Sequence, residues 1–208
     1  MKLDKTVTPV SLCLLAMVLT APLITLLPLS MVNEQLLFWV EKGQTAWLLF
    51  CMIFTLCYMS PQHLPKGPKL FWLWSALWWL VLFGRDTNWG RLFFPEEPRV
   101  IFKVIAGVLI ITLVAALFFS HELRTQIKNK YHQTRLPIWS VIWVVSAFLL
   151  ADAVEHHELF SSFYHGEEAY RDLLEELFEI PFMLGLFMIA LKLMRTDKQQ
   201  LHALPLPA

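Results

Sequence analysis

Asp152, Glu155 and His156 stand at i, i+3 and i+4, and Glu168, Asp172, Glu175, Glu176 and Glu179 at i, i+4, i+7, i+8 and i+11. On helices that turn once every 3.6 residues, each set falls on one face. Carboxylates and an imidazole at such spacings are the donors that hold a divalent metal such as zinc, and Glu combined with Glu-x-x-His builds metal centres in helical bundles. A bound zinc lowers the pKa of water far enough to serve hydrolysis of an ester, amide or phosphoester near neutral pH. The candidate ligands are Asp152, Glu155, His156, Glu175 and Glu179. Asp86, Glu155 and Glu176 are candidate catalytic carboxylates, and Arg85, Asp86, Asn88, Arg91 and Asp172 extend the polar network around them. The pattern matches no metalloenzyme signature: there is no HExxH and no second histidine at ligand spacing on the same helix.

Two other readings stand beside this one. Buried carboxylates beside an arginine also line transport and proton pathways. A chain of 208 residues without an internal repeat, however, has little from which to form two gates. Alternatively, Arg85, Arg91 and Arg171 pair with the carboxylates in a structural network that fixes helix register.

What positions these residues is a set of long apolar runs. The chain is 57% hydrophobic and 16% charged, with a mean hydropathy of +0.54. Soluble domains carry about 25% charge. The sequence therefore predicts an all-α polytopic membrane protein, a bundle of six transmembrane helices near 10–32, 44–60, 70–89, 100–120, 136–156 and 173–194. One domain over 1–198 and a loose tail over 199–208 are expected. The first run is too long for the apolar core of a signal peptide, and Val10-Ser11-Leu12-Cys13 departs from a lipoprotein box at Leu12. Three of the runs are too short by themselves. The third is clean only over Leu70–Gly84 and must recruit residues among Arg85, Asp86, Thr87, Asn88 and Trp89 to cross about 30 Å. The fifth reaches Asp152, Glu155 and His156 before it is long enough, and the sixth must take in Leu173–Glu179. Charged groups at such depths face a bundle interior or a water-filled cavity. An acidic pocket results, with Pro181 placed to bend the last helix beside it.

Charge sets the orientation. Six spans put both termini on one side, with Lys2, Lys5, Lys66, Lys69, Arg124, Lys128, Lys130, Arg135, Lys192, Arg195 and Lys198, eleven of the 17 basic residues. Of the 17 acidic residues, that side holds only Asp4, Glu122 and Asp197. The positive-inside rule then makes both termini cytoplasmic and the acidic pocket outward-facing. The expected location is a bacterial inner membrane.

The segment Gly84-Arg85-Asp86-Thr87-Asn88-Trp89-Gly90-Arg91 resembles one in a group of small bacterial multi-pass inner-membrane proteins of uncharacterised function. Those proteins carry an Arg-Glu pair and a Trp-Gly-Arg at the end of a helix, and a late Glu-Glu-x-x-Glu helix. Glu175-Glu176-Leu177-Phe178-Glu179 is similar to the latter, and Asp86 stands where the group has Glu. A looser likeness to the ceramidase-like membrane hydrolases would imply zinc chemistry, but their Ser-x-x-x-His and paired late histidines are missing here. Glu167-Glu168 followed by Arg171 resembles the EExxxR motif of CAAX-type proteases, with the arginine one residue early and the later histidine motifs missing.

The remaining signals narrow the field. Zero net charge gives no electrostatic basis for binding nucleic acid. Haem is disfavoured because His156 and His157 have no partner histidine at the same depth. Cys13, Cys51 and Cys57 form no CxxC and read as small buried hydrophobes. Trp39, Trp47, Trp72, Trp74, Trp89 and Trp139 read as an interfacial belt, Trp78 and Trp79 as deeper lipid-facing or packing residues. The basic stretch 121–135 reads as a turn-prone connection. The partners this implies are the lipid bilayer and a lipid or envelope substrate. Oligomeric state, substrate and metal identity are not encoded in any recognisable pattern.

Overall fold

Apolar runs become helices here, and prolines mark where several of them start. In the computed structural model, which describes residues 2–26, 34–91, 94, 96–156 and 168–203, seven α-helices follow one another among the described residues. They are α1 (Pro9–Thr20), α2 (Glu34–Met59), α3 (Lys66–Asp86), α4 (Arg99–Phe119), α5 (His121–Gln133), α6 (Ile138–Glu155) and α7 (Glu168–Ala203). Pro65, Pro98 and Pro137 stand directly before α3, α4 and α6. Proline cannot continue an incoming helix, but its fixed φ suits a helix start. At α1, Thr8 and Ser11 form a reciprocal capping box, with Pro9 in the first turn. Apart from the helices, β1 (Lys2–Asp4) and β2 (Arg135–Pro137) form a short parallel pair.

Four helices are long and apolar enough to cross a membrane, with spans at Gln35–His63, Arg99–Phe119, Ile138–Glu155 and Ala169–Gln200. Pro9–Ile24 is a shorter apolar helix. The α3 helix has the same 21 residues as α4 but carries Trp72, Trp74, Trp78 and Trp79, whose indole N–H offsets part of their apolar surface. The α4 helix turns most of its apolar side chains outward, including Ile111 at 67% and Phe118 at 71% exposed. Water would not tolerate such a surface; lipid does.

The chain forms two compact units, residues 1–43 with 134–208, and residues 44–133. In the first, α6 and α7 pack closely. Val18, Ala21, Ala147, Ala151, Val154, Leu174 and Phe178 form its core. Small residues permit this closeness: a Cβ on Gly185 would lie 2.2 Å from Val144 Cγ2 and 3.1 Å from Leu14 Cδ1. The α7 helix continues through Pro181, whose ring is fully buried. Proline has no N–H to give, so the Leu177 carbonyl loses its intrahelical donor. The helix also reaches Ala203, past the expected start of the tail.

In the second unit, α3 packs on α4 and α5. Trp74 Nε1 donates to the Leu113 carbonyl of α4 at 3.0 Å. The stretch expected to be a turn-prone connection is instead mostly helix α5. Ser120 Oγ accepts from the Leu123 amide at 3.2 Å and starts the helix, and Leu123 is buried. Lys66 bonds Glu122 at 2.7 Å, and Lys130 lies over the Phe71 ring at 4.5 Å. A buried leucine and two cation contacts help hold this charged helix on α3.

Two further expectations are corrected. Cys51 is buried, but Cys13 and Cys57 are exposed, since they lie on outward faces of α1 and α2. Trp72 is a core residue at 1% exposure rather than part of a belt. Of the deeper pair, Trp79 is packed and Trp78 is exposed.

Candidate functional site

The end of α6 gathers Asp152, Glu155 and His156. The helix stops at Glu155, and His156 closes it: its amide donates to the Asp152 carbonyl at 3.1 Å. The His156 ring folds back, with Nδ1 at 2.8 Å from the same carbonyl and 3.8 Å from Asp152 Oδ1. Asp152, Glu155 and His156 each bring one ligand atom within 4.8 Å of the others, and all three are exposed. Zinc ligands about 2.1 Å from the ion stand about 3.4 Å apart in a tetrahedron. Exposed side chains can close that difference by small rotations. The three residues therefore fit a divalent cation. They leave at least one coordination position to water or substrate, and among the described residues they are the group that fits.

Behind them, α7 presents its carboxylates. Glu175, Glu176 and Glu179 are half-buried, and Glu175 lies within electrostatic reach of Glu155, Glu179, Asp172 and Arg171. The stripes of α6 and α7 thus meet at this end of the unit. Arg171 is committed locally, with Nη2 at 2.7 Å and Nε at 2.8 Å from Asp172 Oδ1. Glu175 and Glu179 do not join the ligand-distance group of Asp152, Glu155 and His156. The side chain of Glu168, and His157 and Glu167 as a whole, lie outside the described residues.

Arg85, Asp86, Asn88 and Arg91 belong to the other compact unit. There α3 ends at Asp86, with Thr87 buried and its hydroxyl donating to the Phe83 carbonyl at 2.9 Å. Asn88, Trp89 and Gly90 follow with φ of 48°, 61° and 100°. This left-handed run swings the Trp89 ring back onto α3. A Cβ on Gly84 would lie 2.7 Å from Trp89 Cε3, so only glycine admits the ring there. The Asp86 carboxylate accepts a short hydrogen bond from the Thr45 hydroxyl of α2. Arg85, Asn88 and Arg91 are exposed.

Thr45 went unnoticed in the sequence. It is 41 residues from Asp86 and nothing in its neighbourhood marks it. Its place beside Gln44 near the start of an apolar run was the available signal, since a threonine buried in such a run needs a partner. Trp89, expected in the interfacial belt, also packs its ring against Gly84. Compared with family models, curated proteins and solved structures, the chain matches none.

Proposed function

We propose that the chain is a multi-pass inner-membrane protein with six spans and cytoplasmic termini, whose outward end of α6 and α7 binds a divalent cation such as zinc and hydrolyses a lipid or envelope substrate. The two spans beyond the four long apolar helices would be α1 with the turn that follows it, and α3. The observation that carries the cation site is the set of Asp152, Glu155 and His156 ligand atoms within 4.8 Å of one another. Asp152 and His156 would hold the ion, helped by Glu155. The ion would supply Lewis acidity and an acidified water. Glu176 of α7 is the candidate catalytic carboxylate, while Glu175 and Glu179 keep the field negative and so favour a cation. Asp86 is less suited to that chemistry because its carboxylate accepts from Thr45. The likeness to small inner-membrane proteins with Arg-Glu and Glu-Glu-x-x-Glu segments supports the location and carries no activity.

Elemental analysis tests this reading on the detergent-purified full chain beside an Asp152→Asn/His156→Ala variant. About one equivalent of zinc, iron or manganese in the wild type, lost in the variant, is expected. No metal in the wild type after purification in zinc-supplemented buffer removes the cation site and the hydrolase with it.

A second reading has its own observation. The Arg171–Asp172 pair and the Thr45–Asp86 bond are local satisfactions of charge, as in a structural network with no ligand. On that reading, Glu175→Gln and Glu179→Gln shift the melting temperature and leave metal content at zero.

A further inference from the structure

At the opposite end of the same unit, the N-terminal ends of α1 and α6 meet the late turns of α7 around a cavity of about 310 Å³. The parallel pair of β1 and β2 aligns Asp4 with Pro137, so the two helix starts lie side by side. Trp139 Nε1 donating to the Lys5 carbonyl at 3.1 Å reinforces this. Thr8, which caps α1, and Pro137, which precedes α6, both line the cavity. Pro137 offers no side-chain acceptor to the first amides of α6. Two helix N-termini thus direct positive partial charge toward one space.

The side chains in that space add to it. Lys192 and Arg195 of α7 line the cavity. Lys192 is shared with Asp4, whose Oδ2 lies 3.8 Å from its Nζ. Ser140 lines the cavity too. It is 2% exposed, so its hydroxyl is held between the packed helices and the cavity. A buried hydroxyl facing a cavity between two cations and two helix starts marks a place for an oxyanion. Apart from Thr8 and Thr196, the remaining wall is apolar, with Val10, Met188 and Leu191 continuing it along the helices. A phosphate next to a hydrocarbon wall is the chemistry of a phospholipid.

We propose that this cavity binds the phosphate of an anionic phospholipid, seated against Lys192, Arg195 and Ser140 with an acyl chain along Val10 and Met188. A basic pocket between membrane helices on the cytoplasmic side is where such headgroups bind. The inference rests on the membrane reading and its orientation and is independent of the metal.

The test is thermal unfolding of the full chain in nanodiscs of phosphatidylcholine alone or with a third of phosphatidylglycerol. The anionic lipid raises Tm by about 5 °C, as for a ligand tens of times above its Kd. Lys192→Gln/Arg195→Gln abolishes the increment while Lys128→Gln on α5 preserves it. Val10→Trp, which fills the cavity without changing charge, abolishes it as well and serves if the double variant fails to fold. Millimolar inorganic phosphate reproducing the increment in phosphatidylcholine would identify a soluble phosphate, not a lipid, as the ligand and overturn the lipid assignment. Equal Tm in both lipids, or an increment that survives both cavity variants, overturns the site. Labelling of Cys13 and Cys57 from each side tests the orientation separately.

Discussion

The end of α3 and the facing ends of α6 and α7 have the same kind of sequence, charged residues recruited to lengthen a short apolar run, but they resolve it differently. At α3 the one carboxylate is absorbed into a built turn. Asp86 is bonded to Thr45, Thr87 is buried, and Trp89 is folded onto Gly84 by three consecutive residues with positive φ. At α6 and α7 carboxylates crowd one another. Glu155, Glu179 and Asp172 all act on Glu175 against Arg171, and Asp152, Glu155 and His156 stay exposed. A satisfied polar group contributes to stability and is then unavailable for chemistry; an unbalanced one is costly until something binds it. The motif-like spelling of the α3 segment is therefore explained by its turn, whereas the α7 stripe crowds several carboxylates around Glu175.

The sharpest way to break the comparison is at Gly84. Gly84→Val places a branched side chain where the Trp89 ring lies, at a site with 2.7 Å of room for a Cβ. Overpacking of this kind costs about 3 kcal/mol. In detergent the variant should melt well below wild type, and adding Trp89→Ala should recover much of the loss, because the two residues are coupled. Additive losses would mean that the turn does not depend on that contact. Next in size is Asp86→Ala, which removes the acceptor of a buried threonine in α2 and should cost about 2 kcal/mol, the range for hydrogen bonds to charged groups. Thr45→Val in that background should cost little more, and chemical denaturation of the three variants checks it.

These contrasts also show what the sequence makes legible. The helices were readable because each apolar run is long and their starts carry Pro65, Pro98 and Pro137. The identity of the triad was readable because i, i+3, i+4 spacing alone puts Asp152, Glu155 and His156 on one face. That His156 would fold its ring onto the Asp152 carbonyl was not readable, since it depends on α6 stopping at Glu155. Thr45 was hidden because a hydrogen bond across 41 residues leaves no periodic trace. The α5 helix was hidden because its charges resemble those of a loop, and the one residue that anchors it, Leu123, is a single leucine among them.

At α7, Glu175→Gln should act in the opposite direction from the α3 variants. It removes one of several carboxylates that repel one another with a single arginine beside them, so metal-free protein should become slightly more stable, by under about 1 kcal/mol. Melting in the presence of a chelator reads the sign. A clear fall in Tm would place Glu175 in a satisfied network like that of Asp86 and erase the contrast between the regions.

The smallest effect is expected at the triad itself. Asp152→Asn and His156→Ala change exposed residues at a helix end, so with chelator present each should shift stability by under about 0.5 kcal/mol. Their difference from wild type should emerge only when zinc is added. A cation that binds the folded state alone raises stability by RT ln(1 + [L]/Kd), about 2.7 kcal/mol at a hundredfold excess over Kd. Wild type should therefore gain several degrees with added zinc and the variants almost none. Arg85→Gln, at the exposed but built end of α3, should gain as wild type does. If the triad variants already melt lower with chelator present, their role is structural. If all proteins gain equally with zinc, the ion binds elsewhere, and the exposed carboxylates of α6 are only a solvated helix end.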